Sequence, residues 1–172
     1  MKSRKLTMVL FIFYLLVLSW IVLFKTRFAF AFLDLRFSFV SLDVGRSINL
    51  IPFGGMLFLN GAPSYNEVIY NALAFLPFGI FICMLRKKRS FASLILPIFL
   101  TSLLFEVLQY VFAIGASDIT DLIANSAGGI IGAGIFYVMS QIFNENVNRI
   151  INTIAMVIVI GFGLFICAIR PL

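Results

Sequence analysis

Five stretches of this chain run for about twenty residues with few or no charges, at 6–24, 68–85, 91–114, 122–143 and 150–169. A hydrocarbon core of about 30 Å needs roughly that many apolar residues in a helix, because a backbone in lipid must satisfy its own hydrogen bonds. The spacing therefore predicts an all-α integral membrane protein of five transmembrane helices. One long loop, 25–66, separates the first span from the second. Composition agrees: 62% of the 172 residues are hydrophobic and 12% charged, with a mean hydropathy of +1.12. A soluble domain is nearer one-quarter charged. No repeat or composition shift divides the chain, so 1–172 reads as one domain. The long initial apolar run has no small-residue cleavage site before Lys25 and reads as a retained span rather than a signal peptide. Pro77 and Pro97 fall inside spans two and three and predict kinks, with neighbouring helices taking up the freed carbonyls.

Charge sets the expected orientation. "MKSRKL" carries Lys2, Arg4 and Lys5, "RKKR" (86–89) joins spans two and three, and the turn between spans three and four has no Lys or Arg. The positive-inside rule puts the N-terminus and the 86–89 loop in the cytoplasm and the C-terminus outside. Lys25, Arg27, Arg36 and Arg46 in the long loop oppose this, but short loops carry more weight. The long loop is then extracellular. Its "FAFAFLDLRFSF" suggests a short strand, a hairpin or a segment lying flat in the headgroup layer, whereas the Pro and Gly of "GRSINLIPFGG" argue against a helix. The +6 net charge is read as topology and contact with membrane lipids, not nucleic-acid binding.

Histidine is absent, which removes His-based nucleophilic chemistry and His metal ligands. Cys83 and Cys167 form no metal-ligand spacing, and this topology places them at opposite membrane faces. The chemistry left is carboxylate and amide, and it converges near the outer ends of the spans. Glu106 lies about 12 Å below the outer boundary at a rise of about 1.5 Å per residue. Gln109 follows it by three residues. Asp118, Asp121, Asn125, Gly128 and Gly132 step by three and four along one face of span four. Glu67 stands at the outer end of span two, with Asn71 one turn deeper. The acidic and amide top of span four is expected to face Glu106 and Gln109. Its glycines are read as a close helix–helix approach. Asp118 taken alone reads first as a helix N-cap. Asn71 divides evenly between a functional role and bridging backbone freed by Pro77. Glu106 is different, since an ionisable group deep in a span defaults to function.

"NLIPF" (49–53), "NALAFLPFG" (71–79), "FEVLQ" (105–109) and "DITDLIANSAGG" (118–129) follow in order the pattern of the VanZ-like family, which the chain resembles to about residue 137. One departure is Gly115, where many members carry an arginine. The resemblance implies a bacterial plasma-membrane protein that lowers susceptibility to teicoplanin-type glycopeptides. It carries over Asn49, Pro52, Asn71, Pro77, Glu106, Gln109, Asp118, Asp121 and Asn125. The preferred expectation is a non-catalytic site that binds a lipid-linked peptidoglycan precursor or the lipoglycopeptide and requires no cofactor. Two alternatives stay open. One is a membrane enzyme modifying such a precursor, with Glu106, Asp118 and Asp121 as catalytic groups or as oxygen ligands of a divalent cation. The other is precursor flipping, for which five helices are few unless the glycine-rich face supports an oligomer.

Overall fold

A computed structural model describes residues 2–23, 47–54, 58–59, 62–86, 90–113 and 117–169. The "FAFAFLDLRFSF" segment, Gly115 and most of the 86–89 basic loop lie outside these residues. Five helices carry the fold: α1 (Lys2–Leu23), α2 (Asn66–Leu85), α3 (Phe91–Phe112), α4 (Ile119–Phe143) and α5 (Val147–Ile169). Among the described residues, four stretches are long and apolar enough to cross a membrane: Arg4–Leu23, Asn66–Leu85, Ala92–Phe112 and Ile119–Leu164. The last contains α4 and most of α5. It divides at Asn144, which has φ 46°, and at the 3-10 turn Asn144–Asn146 that follows. Phe136, Val147 and Ile151 share one buried cluster with Cys83. A straight helix would hold Phe136 and Ile151 about 22 Å apart, so the chain turns back at Asn144. Five helices thus stand where five spans are expected.

The helix starts extend the apolar runs by up to four residues, because polar first turns belong to the helix but not to the hydrophobic window. Asn66 and Glu67 open α2. Ser90 caps α3 by accepting from the Ser93 N–H at 3.3 Å. Phe112 ends α3, two residues before the expected limit, with Ala113 in the left-handed region at φ 50°. Cross-links fix the mutual register. Arg4 donates to the Leu85 carbonyl at 3.4 Å, so the start of α1 meets the end of α2. Thr7 and Asn152 exchange hydrogen bonds of 2.9 and 3.1 Å between side chains, both buried, which brings the first turns of α1 and α5 to one level. Tyr14 donates to the Ala74 carbonyl at 2.6 Å, in the turn that Pro77 deprives of a donor.

The most extensive helix contact joins α2 to α4, and glycine makes it. A Cβ on Gly128 would strike the Ala72 carbonyl, one on Gly132 the Leu76 carbonyl, and one on Gly79 the Gly129 carbonyl. The two backbones touch directly, as the stripe on span four predicts; Gly79 is the matching feature on α2. Leu18 and Val22 of α1, Phe75, Phe78 and Ile82 of α2, and Ile98 and Phe105 of α3 complete the core. Outside the helices, Ile48–Asn49 (β1) pairs in parallel with Ser117–Asp118 (β4), and Phe58–Leu59 (β2) pairs antiparallel with Ala62–Pro63 (β3). The segment 47–54 is non-helical, as its Pro and Gly require. Cys83 is buried.

Candidate functional site at one end of the bundle

The polar residues gather at the end where α1 and α3 finish and α2 and α4 begin. Asp118 precedes the first turn of α4, where donors lack partners. Its Oδ1 accepts from the Thr120 N–H at 2.7 Å, the N-cap that the sequence suggests. Its Oδ2 accepts from the Asn49 Nδ2 at 3.1 Å. Its own N–H donates to Glu106 Oε2 at 2.8 Å. Thus Asn49, Glu106 and Asp118 form one linked set that joins the loop before α2, α3 and α4. Glu106 is buried, and a carboxylate accepting a backbone N–H there is held in a fixed orientation.

The strip preceding β2 is laced to the same helix start. The Ser117 N–H donates to the Ser47 carbonyl at 3.0 Å. Asn49 Oδ1 accepts from the Ile51 N–H at 3.1 Å, an Asx-type turn. The Phe53 N–H donates to Thr120 Oγ1 at 2.9 Å.

One turn deeper, Asn71 of α2 donates to Asp121 Oδ1 of α4, with both side chains buried. Pairing with Asp121, rather than with backbone near Pro77, is the role Asn71 takes. Asn125, fully buried, donates from Nδ2 to Ser102 Oγ at 3.0 Å. Gln109 diverges from the rest: its Nε2 donates to the Val22 carbonyl of α1 at 2.9 Å. Three residues along a helix turn the side chain by about 60°, enough for Glu106 and Gln109 to address different neighbours. Gln109 and Asn125 thus donate to Val22 and Ser102 rather than to Glu106. Gln109 Oε1 and Asn125 Oδ1 are buried with no hydrogen-bond partner among the described residues.

Among the described residues, no group of three or more acids or cysteines is placed to hold a metal ion. Glu106, Asp118 and Asp121 instead receive backbone and amide donors. Ser102, one of the hydroxyls in this polar region, accepts from the Asn125 amide. Sequence reasoning missed Thr120 and Ser102. Ser102 had a signal, since it lies four residues before Glu106 and seven before Gln109 on one helix stripe. Thr120 had none, because its partner is a backbone amide brought there by the loop.

The comparisons with known proteins agree with this picture at the level of family. The VanZ/LLP1 family model matches residues 11–144, which run from the middle of α1 to the break that follows α4. A curated relative, protein VanZ of Enterococcus faecium, is 31% identical over 150 residues, covering 86% of this chain and 84% of that protein. No solved structure matches the chain. The chain belongs to the VanZ/LLP1 family.

Proposed function

We propose that this protein lowers the susceptibility of a bacterial cell to teicoplanin-type lipoglycopeptides, and that it does so as a binder in the plasma membrane. The observation that carries this reading is the polar end of the bundle, with Asn49, Asp118 and Glu106 linked at the helix ends and Asn71 paired with Asp121 one turn deeper. Such an arrangement presents half-buried Asn49 and Asp118, backed by buried Glu106, Asn71 and Asp121, to a lipid-linked peptidoglycan precursor or to the acylated drug. Occupancy there would hinder their encounter. Family membership supports the resistance reading. Arg4, Lys5 and Arg86 are exposed at the opposite end, and the positive-inside rule applied to them supports an extracellular polar end. The enzyme alternative would use Glu106, Asp118 and Asp121, and its signature would be chemical change in the precursor.

Expression in a susceptible host tests the proposal. Teicoplanin protection exceeding vancomycin protection, with unaltered precursors by mass spectrometry, is the expected result. Asp121→Asn combined with Asn125→Ala should reduce that protection about tenfold at normal membrane levels, the effect of about 1.4 kcal/mol in binding. Full protection by the well-expressed double variant would reduce the polar cluster to architecture. An altered precursor would move the assignment to the enzyme.

A further inference from the structure

The turn at 48–53 stands out because it is apolar on the outside while its backbone donors from 51 to 54 are taken. Ile48, Leu50, Ile51 and Phe53 are 48–71% exposed on a segment of six residues. Their backbone is not correspondingly open. The Ile51 N–H is taken by Asn49 Oδ1, the Phe53 N–H by Thr120 Oγ1 and the Gly54 N–H by the Ile51 carbonyl at 3.0 Å. Pro52 has no N–H. From 51 to 54, no backbone donor requires water. That lowers the cost of holding this irregular backbone against the bilayer, where an unsatisfied donor is expensive.

A second observation concerns Phe53. It occupies the third position of the Ile51–Gly54 turn with φ 61°, a conformation in which glycine is the usual residue. A bulky side chain persists there only where surrounding contacts over-determine the backbone. The anchors at Thr120 and Asn49 do so, and they hold Phe53 on the outer side of the turn. The third observation is depth. Gln109 ties α3 to Val22, Glu106 ties α3 to Asp118, and Asp121 ties α4 to Asn71, so the helix ends share one level. Exposed Trp20, Tyr65, Tyr70 and Tyr110 ring that level. Aromatic residues of this kind mark a membrane–water interface.

We propose that the 48–53 turn is a lipid-inserted anchor, with Ile48, Leu50, Ile51 and Phe53 seated among the upper acyl chains of the leaflet at this end. The occupant of its apolar face is membrane lipid. By inserting, the turn brings the Asn49–Asp118 pair to the headgroup plane from the side of the bilayer.

Tryptophan quenching tests the placement. Trp20 is the sole tryptophan, so Trp20→Phe gives a silent background into which Leu50→Trp and Ile51→Trp are introduced separately. The full chain is reconstituted in phosphatidylcholine vesicles whose acyl chains are brominated either near the headgroup or near the chain end. The expected result is blue-shifted emission, greatest loss of intensity with bromine near the headgroup, and little loss with aqueous iodide. Quenching by iodide alone would put the turn in water and overturn the proposal. Protection from both quenchers would show protein covering the turn, and would overturn it equally. Leu50→Cys carrying a nitroxide, with Cys83 and Cys167 replaced, gives an independent reading: collision with oxygen must exceed collision with a water-soluble nickel chelate.

Discussion

Asp121 and Asn71 meet across α2 and α4 where neither side chain reaches water. Removing one partner leaves a buried polar group behind, and that omission costs more than the bond itself contributed. Asp121→Ala is therefore expected to destabilise the protein by about 1–3 kcal/mol in detergent unfolding. The Asn71→Ala, Asp121→Ala double variant should lose less than the sum of the two, by about 0.5–3 kcal/mol. Additive losses would mean that the two side chains act independently. Ala113 offers the opposite kind of change. It ends α3 at φ 50°, where a Cβ is unfavourable, and its N–H closes the last turn onto Gln109 and Tyr110. Ala113→Gly keeps that bond and removes the strain, so a gain of about 0.5–1 kcal/mol is expected in the same assay. The same residue scale shows why the sequence was only partly informative about the site. Asp118 announces itself as a cap by its position before an apolar run. Gln109 looks like a companion of Glu106 because spacing along one helix is visible and the identity of the facing helix is not. Nothing local to Gln109 reveals that the end of α1 occupies its side.

At the scale of elements, glycines of similar sequence context have very different surroundings. Gly128 faces the backbone of α2 at Ala72, whereas nothing lies within 4 Å of a Cβ on Gly134. Gly128→Leu should lower the amount of folded protein in the membrane sharply, because α2 and α4 cannot separate without unpacking their whole contact. Gly134→Ala should leave the level unchanged and add up to about 1 kcal/mol through helix propensity. Equal levels for the two variants would contradict the packing described. The stripe from Asp118 to Gly132 was legible because its repeat matches the helical period. Its counterpart on α2 was harder to read, since Gly79 follows Pro77 in a run that reads equally well as a kink.

For the whole molecule, the alternation of five helices follows from the apolar runs and their separation. The turn at Asn144 falls in the gap between the runs 122–143 and 150–169, where Asn144, Glu145, Asn146, Asn148 and Arg149 interrupt an otherwise apolar stretch. The paired segments of 47–63 were beyond reach of periodicity, being two residues long. Orientation is tested by single cysteines in a background lacking Cys83 and Cys167. Cysteines at Ser64 and Ser117 are expected to react with an impermeant maleimide on intact cells, and one at Ser90 only after permeabilisation. Reaction of Ser117→Cys solely from the cytoplasmic side would invert the proposed site and remove the extracellular reading.

The direct backbone contact between α2 and α4 also limits how this molecule can work. Side chains between helices act as a cushion, because rotamer changes let neighbouring axes slide or tilt. Carbonyls resting on glycine have no such slack. Asn71 and Asp121 are therefore carried on a single stiff strut. Any breathing of the bundle during ligand entry must come from α1, α3 or α5 shifting against that strut, with Ser102, Glu106 and Gln109 on the moving side.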